Sequence, residues 1–150
     1  MSNLKTSLKI GLQILSVLAR SESRPVSVRE LALELGQSEK YLEQLLLPLR
    51  HARLVTSLRG PHGGYHLSRP PSHIALLEIL ELMQGPVTFC DCPSRQCAEC
   101  VSPAMWQALE ACMETSMAHV TLADVMTMRP PKLPARVGLS PVWVENGLGI

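Results

Sequence analysis

The string TFCDCPSRQCAEC, residues 88–100, holds four of the five cysteines of the chain within eleven positions. Cys90 and Cys92 alternate, so an extended backbone would put both thiols on one face. Cys97 and Cys100 form a CxxC pair, a common chelating unit. Together they offer four soft thiolates, enough for a two-iron or four-iron iron-sulfur cluster or for tetrahedral zinc. The spacing C-x-C-x4-C-x2-C does not choose between these metals. A metal-free thiol switch is the third chemistry available, with Arg95 placed to lower a neighbouring thiol pKa. Cys112 stands apart and reads as a small buried hydrophobe.

The rest of the sequence says which compartment these thiols occupy and which elements carry them. The N-terminus MSNLKTSLKIGLQILSVLARSESRP has no long apolar h-region, and the 150 residues contain no run of eighteen apolar positions. A signal peptide and a membrane span are therefore not expected, and the chain reads as cytoplasmic, with no membrane partner. Permanent disulfides are rare there, which favours metal or redox chemistry for the cluster of thiols. The formal charge of +1 gives no overall attraction to nucleic acid, so only a local concentration of charge can do so. With 3% aromatic residues, the core must be built from aliphatic side chains.

Residues 6–20 repeat Leu8, Leu12, Leu15 and Ala19 at helical spacing. SVRELALELG then presents Ser27 and Glu30 as a capping box, with Gly36 as the left-handed stop. Ser38 caps a further helix, EKYLEQLLLPLR, only two residues later. Two short helices around a tight turn predict a helix-turn-helix. The period then changes to two short runs, Leu54–Leu58 and Tyr65–Leu67, around a Gly/Pro turn, which predicts a β-hairpin. The expected fold is mainly α with a small β-hairpin wing, a winged helix-turn-helix followed by a long C-terminal dimerisation helix. A helix over 72–84 closes the DNA-binding domain, 1–87. The cysteine-rich loop follows at 88–102, a dimerisation helix at 103–128 and a Pro/Gly-rich tail at 129–150. Trp106, Leu109, Met113, Met117 and Val120 form a stripe on that last helix, suited to pairing with a second copy or to packing on the chain's own core.

No acidic residue occurs between Glu43 and Glu78, whereas Arg50, Arg53, Arg59, Arg69 and four of the five histidines do. Such a stretch makes a local positive face suited to phosphates. In a winged helix the second helix of the pair enters the major groove. Ser38, Lys40, Tyr41, Glu43 and Gln44 lie on its first half, with side chains suited to base edges and phosphates. Arg59 enters the turn of the wing.

The segment SEKYLEQLLLPLRHARLVTSLRGPHGGYHLSRPP, residues 38–71, with GPVTFCDC, MW and VTLADV further on, resembles the IscR and NsrR type of bacterial transcription regulators, the Rrf2 family. The resemblance implies a homodimer, joined through the helix after the cysteine loop, on a roughly palindromic double-stranded promoter site. It implies DNA contacts at the positions of Tyr41, Glu43, Gln44 and Arg59. It also implies that three loop cysteines hold an iron-sulfur cluster: Cys100, Cys97, and either Cys92 or Cys90. Relatives take a fourth ligand at positions that are Pro103 and Lys9 here, neither able to bind iron, so the fourth thiolate of the loop must serve instead. Two further departures concern the fold. Arg53 stands where members carry Gly, leaving the turn into the wing without its usual left-handed residue, and Pro48 interrupts the recognition helix and should bend it.

No catalytic arrangement is recognisable among Asp91, Glu99 and the histidines, and the GPHGG tip joins strand to strand, so it lacks the helix N-terminus of a phosphate loop. The chain is therefore not expected to be an enzyme. The expected function is a DNA-binding regulator sensing redox state, nitric oxide or iron through the cluster. Alternatives are a zinc-stabilised or thiol-switch regulator, one that acts by binding a partner enzyme, and an electron-transfer iron-sulfur protein.

Overall fold

The computed structural model describes residues 6–22, 24–60, 62–86, 88 and 103–127. Helix α1 (Thr6–Arg20) buries Leu8, Ile14, Leu15 and Leu18 along one side, the three-four recurrence that drives an amphipathic helix inward. Helix α2 (Val28–Leu35) opens with the capping box: the Ser27 N–H donates to Glu30 Oε2 at 2.8 Å, and the Glu30 N–H donates to Ser27 Oγ at 3.2 Å. It ends on Gly36 at φ 62°, where a side chain would be strained. Ser38 then caps α3 (Glu39–His51), accepting from the Tyr41 N–H at 3.3 Å.

Helix α3 runs through Pro48 to His51 rather than stopping there. Leu45, Leu46 and Leu49 anchor the helix into the core on both sides of the proline, so the missing amide does not break it. The turn into the wing is left-handed even without glycine, because Arg53 adopts φ 57°. Two bonds hold it there: the Leu54 N–H donates to the Leu49 carbonyl and the Arg53 N–H to the Arg50 carbonyl, both at 3.0 Å. This is the Schellman pattern, with the fully buried Leu49 and Leu54 supplying the apolar contact that accompanies it.

Strands β1 (Val55–Leu58) and β2 (Gly64–Leu67) pair antiparallel, Val55 facing Leu67 and Leu58 facing Gly64. Val26 adds an isolated bridge to Tyr65, with both backbone bonds at 2.8 Å, which ties the wing to the entry of α2. Gly64 permits that approach, since a Cβ there would lie 2.5 Å from the Val26 carbonyl oxygen.

The helix expected over 72–84 is divided. A 3-10 turn covers Pro71–His73, and α4 (Leu76–Gln84) starts after Ile74 and Ala75, which are drawn out to pair with the chain around Thr121. Helix α4 packs on α1 and on α5 (Pro103–His119). The helix expected over 103–128 is also two helices, since α5 ends at His119 and α6 spans Leu122–Thr127. Leu122 and Ile74 are fully buried in the same cluster as Ile14, Leu31, Leu46 and Ile79, so α6 completes the winged-helix core. The proposed tail, 129–150, lies outside the described residues.

Candidate nucleic-acid interface

Helix α3 divides cleanly into two faces. Leu42, Leu45, Leu46 and Leu49 point into the core, whereas Lys40, Glu43, Gln44, Leu47 and Arg50 are exposed. The exposed set recurs at three- and four-residue steps, which puts it along one stripe. It lines an open cleft of about 450 Å³, closed on the wing side by Tyr65 of β2. The fold thus brings Lys40, Glu43 and Gln44 together. Ser38 is exposed at the helix entrance, where its oxygen caps Tyr41 while its O–H proton can still be donated outward. Tyr41 differs from these neighbours: it is half-buried and packs against the core. Arg59 is exposed immediately after β1, at the start of the wing turn.

The positive face is narrower than the sequence suggests. Arg69 is half-buried and forms an ion pair with Glu78 of α4, so it belongs to the packing of the wing base. Arg50, Arg53 and Arg59 are exposed, and among the described residues neither they nor Lys40 form an ion pair. The carboxylates of Glu34 and Glu30 are engaged on the α1–α2 side by Arg20 at 2.7 Å and Arg24 at 3.1 Å. Hydrogen bonds from the Ser27 backbone and hydroxyl, and then from Arg24, hold the Glu30 carboxyl below its usual pKa.

The stripe on α5 divides as well. Trp106 and Met113 are half-buried and Leu109 is 41% exposed, but Met117 packs against the chain's own core. Val120 follows the helix and is buried, and its carbonyl accepts from the Leu76 N–H at 2.8 Å. The far end of the expected seam therefore serves this chain's interior. Cys112 is half-buried and free.

Cys90, Cys92, Cys97 and Cys100 lie outside the described residues. Among the described residues, no group of three or more His, Cys, Asp or Glu side chains is placed to hold a metal ion, so the wing histidines do not form a second site. Among the same residues, no helix is long and apolar enough to cross a membrane. The cleft also contains Leu47 and Tyr65, which motif reading passed over, and Arg50, singled out in the sequence only for its charge. Continuing the helical step from Glu43 and Gln44 reaches Leu47 and Arg50, but the approach of Tyr65 depends on the bridge to Val26.

Comparison with known proteins places this geometry in a family. A family model, Rrf2, described as an iron-dependent transcriptional regulator, matches residues 4–128. The chain is 35% identical over 121 residues to protein rrf2 of Nitratidesulfovibrio vulgaris, covering 75% of this chain and 79% of that one. It is 31% identical over 118 residues to the transcriptional regulator IscR of Vibrio parahaemolyticus, covering 76% and 70%. Its fold is similar to CymR (YrzC), the global cysteine regulator of B. subtilis, with a TM-score of 0.71, 30% identity and coverage of 87% and 100%.

Proposed function

Because the chain belongs to the Rrf2 family of DNA-binding transcriptional regulators rather than to an enzyme family, we propose that α3 is its major-groove helix, that two copies bind one promoter site, and that the loop cysteines make the affinity respond to an iron-sulfur cluster. The observation that carries the first part is the exposed stripe of α3 that lines an open cleft beside the wing, with no acidic residue between Glu43 and Glu78. A helix about 10–12 Å across matches a major groove about 12 Å wide. Lys40 and Arg50 flank the stripe as phosphate contacts, and Ser38 adds a donor at the helix entrance. Glu43 and Gln44 between them carry the groups suited to base edges: Glu43 accepts from cytosine N4, and Gln44 pairs with adenine. Tyr41 supports α3 from the core side and offers its hydroxyl to the backbone. Arg59 brings a guanidinium to the phosphates beside the groove.

The second copy is assigned to α5, through Trp106, Leu109 and Met113, with Met117 and Val120 fixing the base of the helix to the winged-helix core. A dimer of this kind reads two half-sites about 34–36 Å apart.

Cys90, Cys92, Cys97 and Cys100 form an all-thiolate donor set, which suits an iron-sulfur cluster and accommodates zinc as well. When bound, a cluster supplies a centre sensitive to oxidants, nitric oxide and iron supply. Residues 85–102 join α4 to α5, and α4 is packed against both α1 and α5. A change in how the loop is held acts on the angle between those helices, and through it on half-site spacing, to which a rigid dimer is sensitive. A second reading, a regulator of the same DNA-binding form whose loop thiols act as a metal-free switch, is favoured by the likeness to CymR, described as a global cysteine regulator and solved from Staphylococcus aureus in an oxidized form.

Strictly anaerobic purification, with an absorption spectrum and iron, sulfide and zinc analysis on one sample, tests the assignment. Matched iron and sulfide, together with altered promoter binding by Cys92→Ala, Cys97→Ala and Cys100→Ala variants, is the expected result. A colourless protein after reconstitution favours the thiol reading, stoichiometric zinc makes the loop a structural clip, and unchanged DNA binding in all three variants refutes a sensing role for the loop.

A further inference from the structure

The core uses four leucines of α3, at 8% exposure or less, and leaves a fifth outside: Leu47 is 48% exposed. An exposed leucine alone carries no message. The position of this one does, because it lies four residues after Glu43 and three after Gln44 on the stripe that lines the cleft. Its neighbours there are Lys40, Glu43, Gln44, Arg50 and the half-buried Tyr65. One branched apolar surface is thus set among hydrogen-bonding and cationic groups, with Lys40 and Arg50 flanking it along the helix.

DNA offers one apolar group to a helix in the major groove, the 5-methyl of thymine. We propose that Leu47 is a specificity-determining residue that packs on a thymine methyl, one helical turn beyond the bases within reach of Glu43 and Gln44. The inference rests on α3 being the groove helix. It goes further by assigning a particular base to a side chain that makes no hydrogen bond. Leu47 is free for this role because helical phase turns it away from the face that buries Leu42, Leu45, Leu46 and Leu49.

The target site is obtained first, by selecting duplexes from a randomised DNA library with the full-length protein. Each thymine of the selected duplex is then replaced singly by deoxyuridine, which removes the methyl and leaves every hydrogen-bonding group in place. Affinities are compared for the unaltered protein, Leu47→Ala, and Leu33→Ala, a control on α2 whose leucine is 79% exposed. At one thymine in each half-site, the unaltered protein and Leu33→Ala should lose roughly threefold to fivefold, the value of one methyl-sized apolar group removed from contact, while Leu47→Ala loses nothing. Equal losses for the unaltered protein and Leu47→Ala at every position, or a selected site without thymine, would overturn the role of Leu47 and leave the groove reading intact. Enrichment of no sequence at all would overturn the groove reading itself, and Leu47 with it.

Discussion

The Leu122 N–H donates to the Ile74 carbonyl at 2.8 Å, and the Leu76 N–H donates to the Val120 carbonyl at the same distance. This short ladder joins the junction between α5 and α6 to the entry of α4, so the segment after α5 is built into the winged-helix core. Leu122 is fully buried there. Leu122→Ala should therefore cost about 2–5 kcal/mol of stability, the range for a leucine emptied from a core. Urea unfolding followed by helix content and by tryptophan fluorescence should show one earlier transition. A first transition confined to the C-terminal helices, with the winged helix unaffected, would show that α6 is only an appendage.

Arg53 holds a left-handed backbone, φ 57°, that glycine adopts without steric cost. Arg53→Gly relieves that cost but adds freedom to the unfolded chain, so the expected gain is about 0.5–1 kcal/mol. The midpoint of urea unfolding should rise at an unchanged slope. A fall would mean that the Arg53 side chain contributes more than its backbone costs.

Arg59 and Arg69 look alike in the sequence and have different surroundings. Arg59 is exposed with no ion pair among the described residues, whereas Arg69 is paired with Glu78. Arg59→Ala should weaken binding to all duplexes and lower the slope of log K against log salt by about 1, with stability unchanged. Arg69→Ala should leave that slope alone and lower the melting temperature. If both variants change the salt slope alike, the ion pair does not withhold Arg69 from phosphate.

The Glu30 carboxyl is held below its ordinary value of 4.5 by the Ser27 hydrogen bonds and by Arg24. A depressed carboxyl favours the folded state above the unfolded pKa, and the benefit is lost as pH falls through the folded one. The difference in melting temperature between the unaltered protein and Glu30→Gln should therefore be full at pH 6 and shrink below pH 4.5. Ser27→Ala removes the other half of the box and should cost about 1 kcal/mol at neutral pH. An unchanging Glu30→Gln difference across the acid range would mean that the box does not need the charge.

Features whose causes lie within a few residues were legible before any coordinates. The Ser27–Glu30 box, the left-handed Gly36, the Ser38 cap and the change of period at Leu54 are all local patterns, and each occurs where those patterns place it. The helix-helix-hairpin order implied the winged-helix class for the same reason, since its caps and turns are set by neighbouring residues. Grouping Lys40, Glu43 and Gln44 on one outward stripe needed only the 3.6-residue repeat.

Tertiary structure decided whatever depends on partners distant in sequence. Helical periodicity runs straight across Ile74, Ala75 and Val120, yet these residues leave the helices because backbone bonds between the two segments replace the intrahelical ones. The charge of Arg69 is evident in the sequence, but its engagement is not, because Glu78 reaches it only once α4 folds against the base of the wing. Helical phase likewise turns Leu47 outward with Glu43 and Gln44, but it does not say whether another element will cover it. The wing closes the cleft at Tyr65 and leaves Leu47 48% exposed, an arrangement fixed by the bridge between Val26 and Tyr65, two segments distant in sequence.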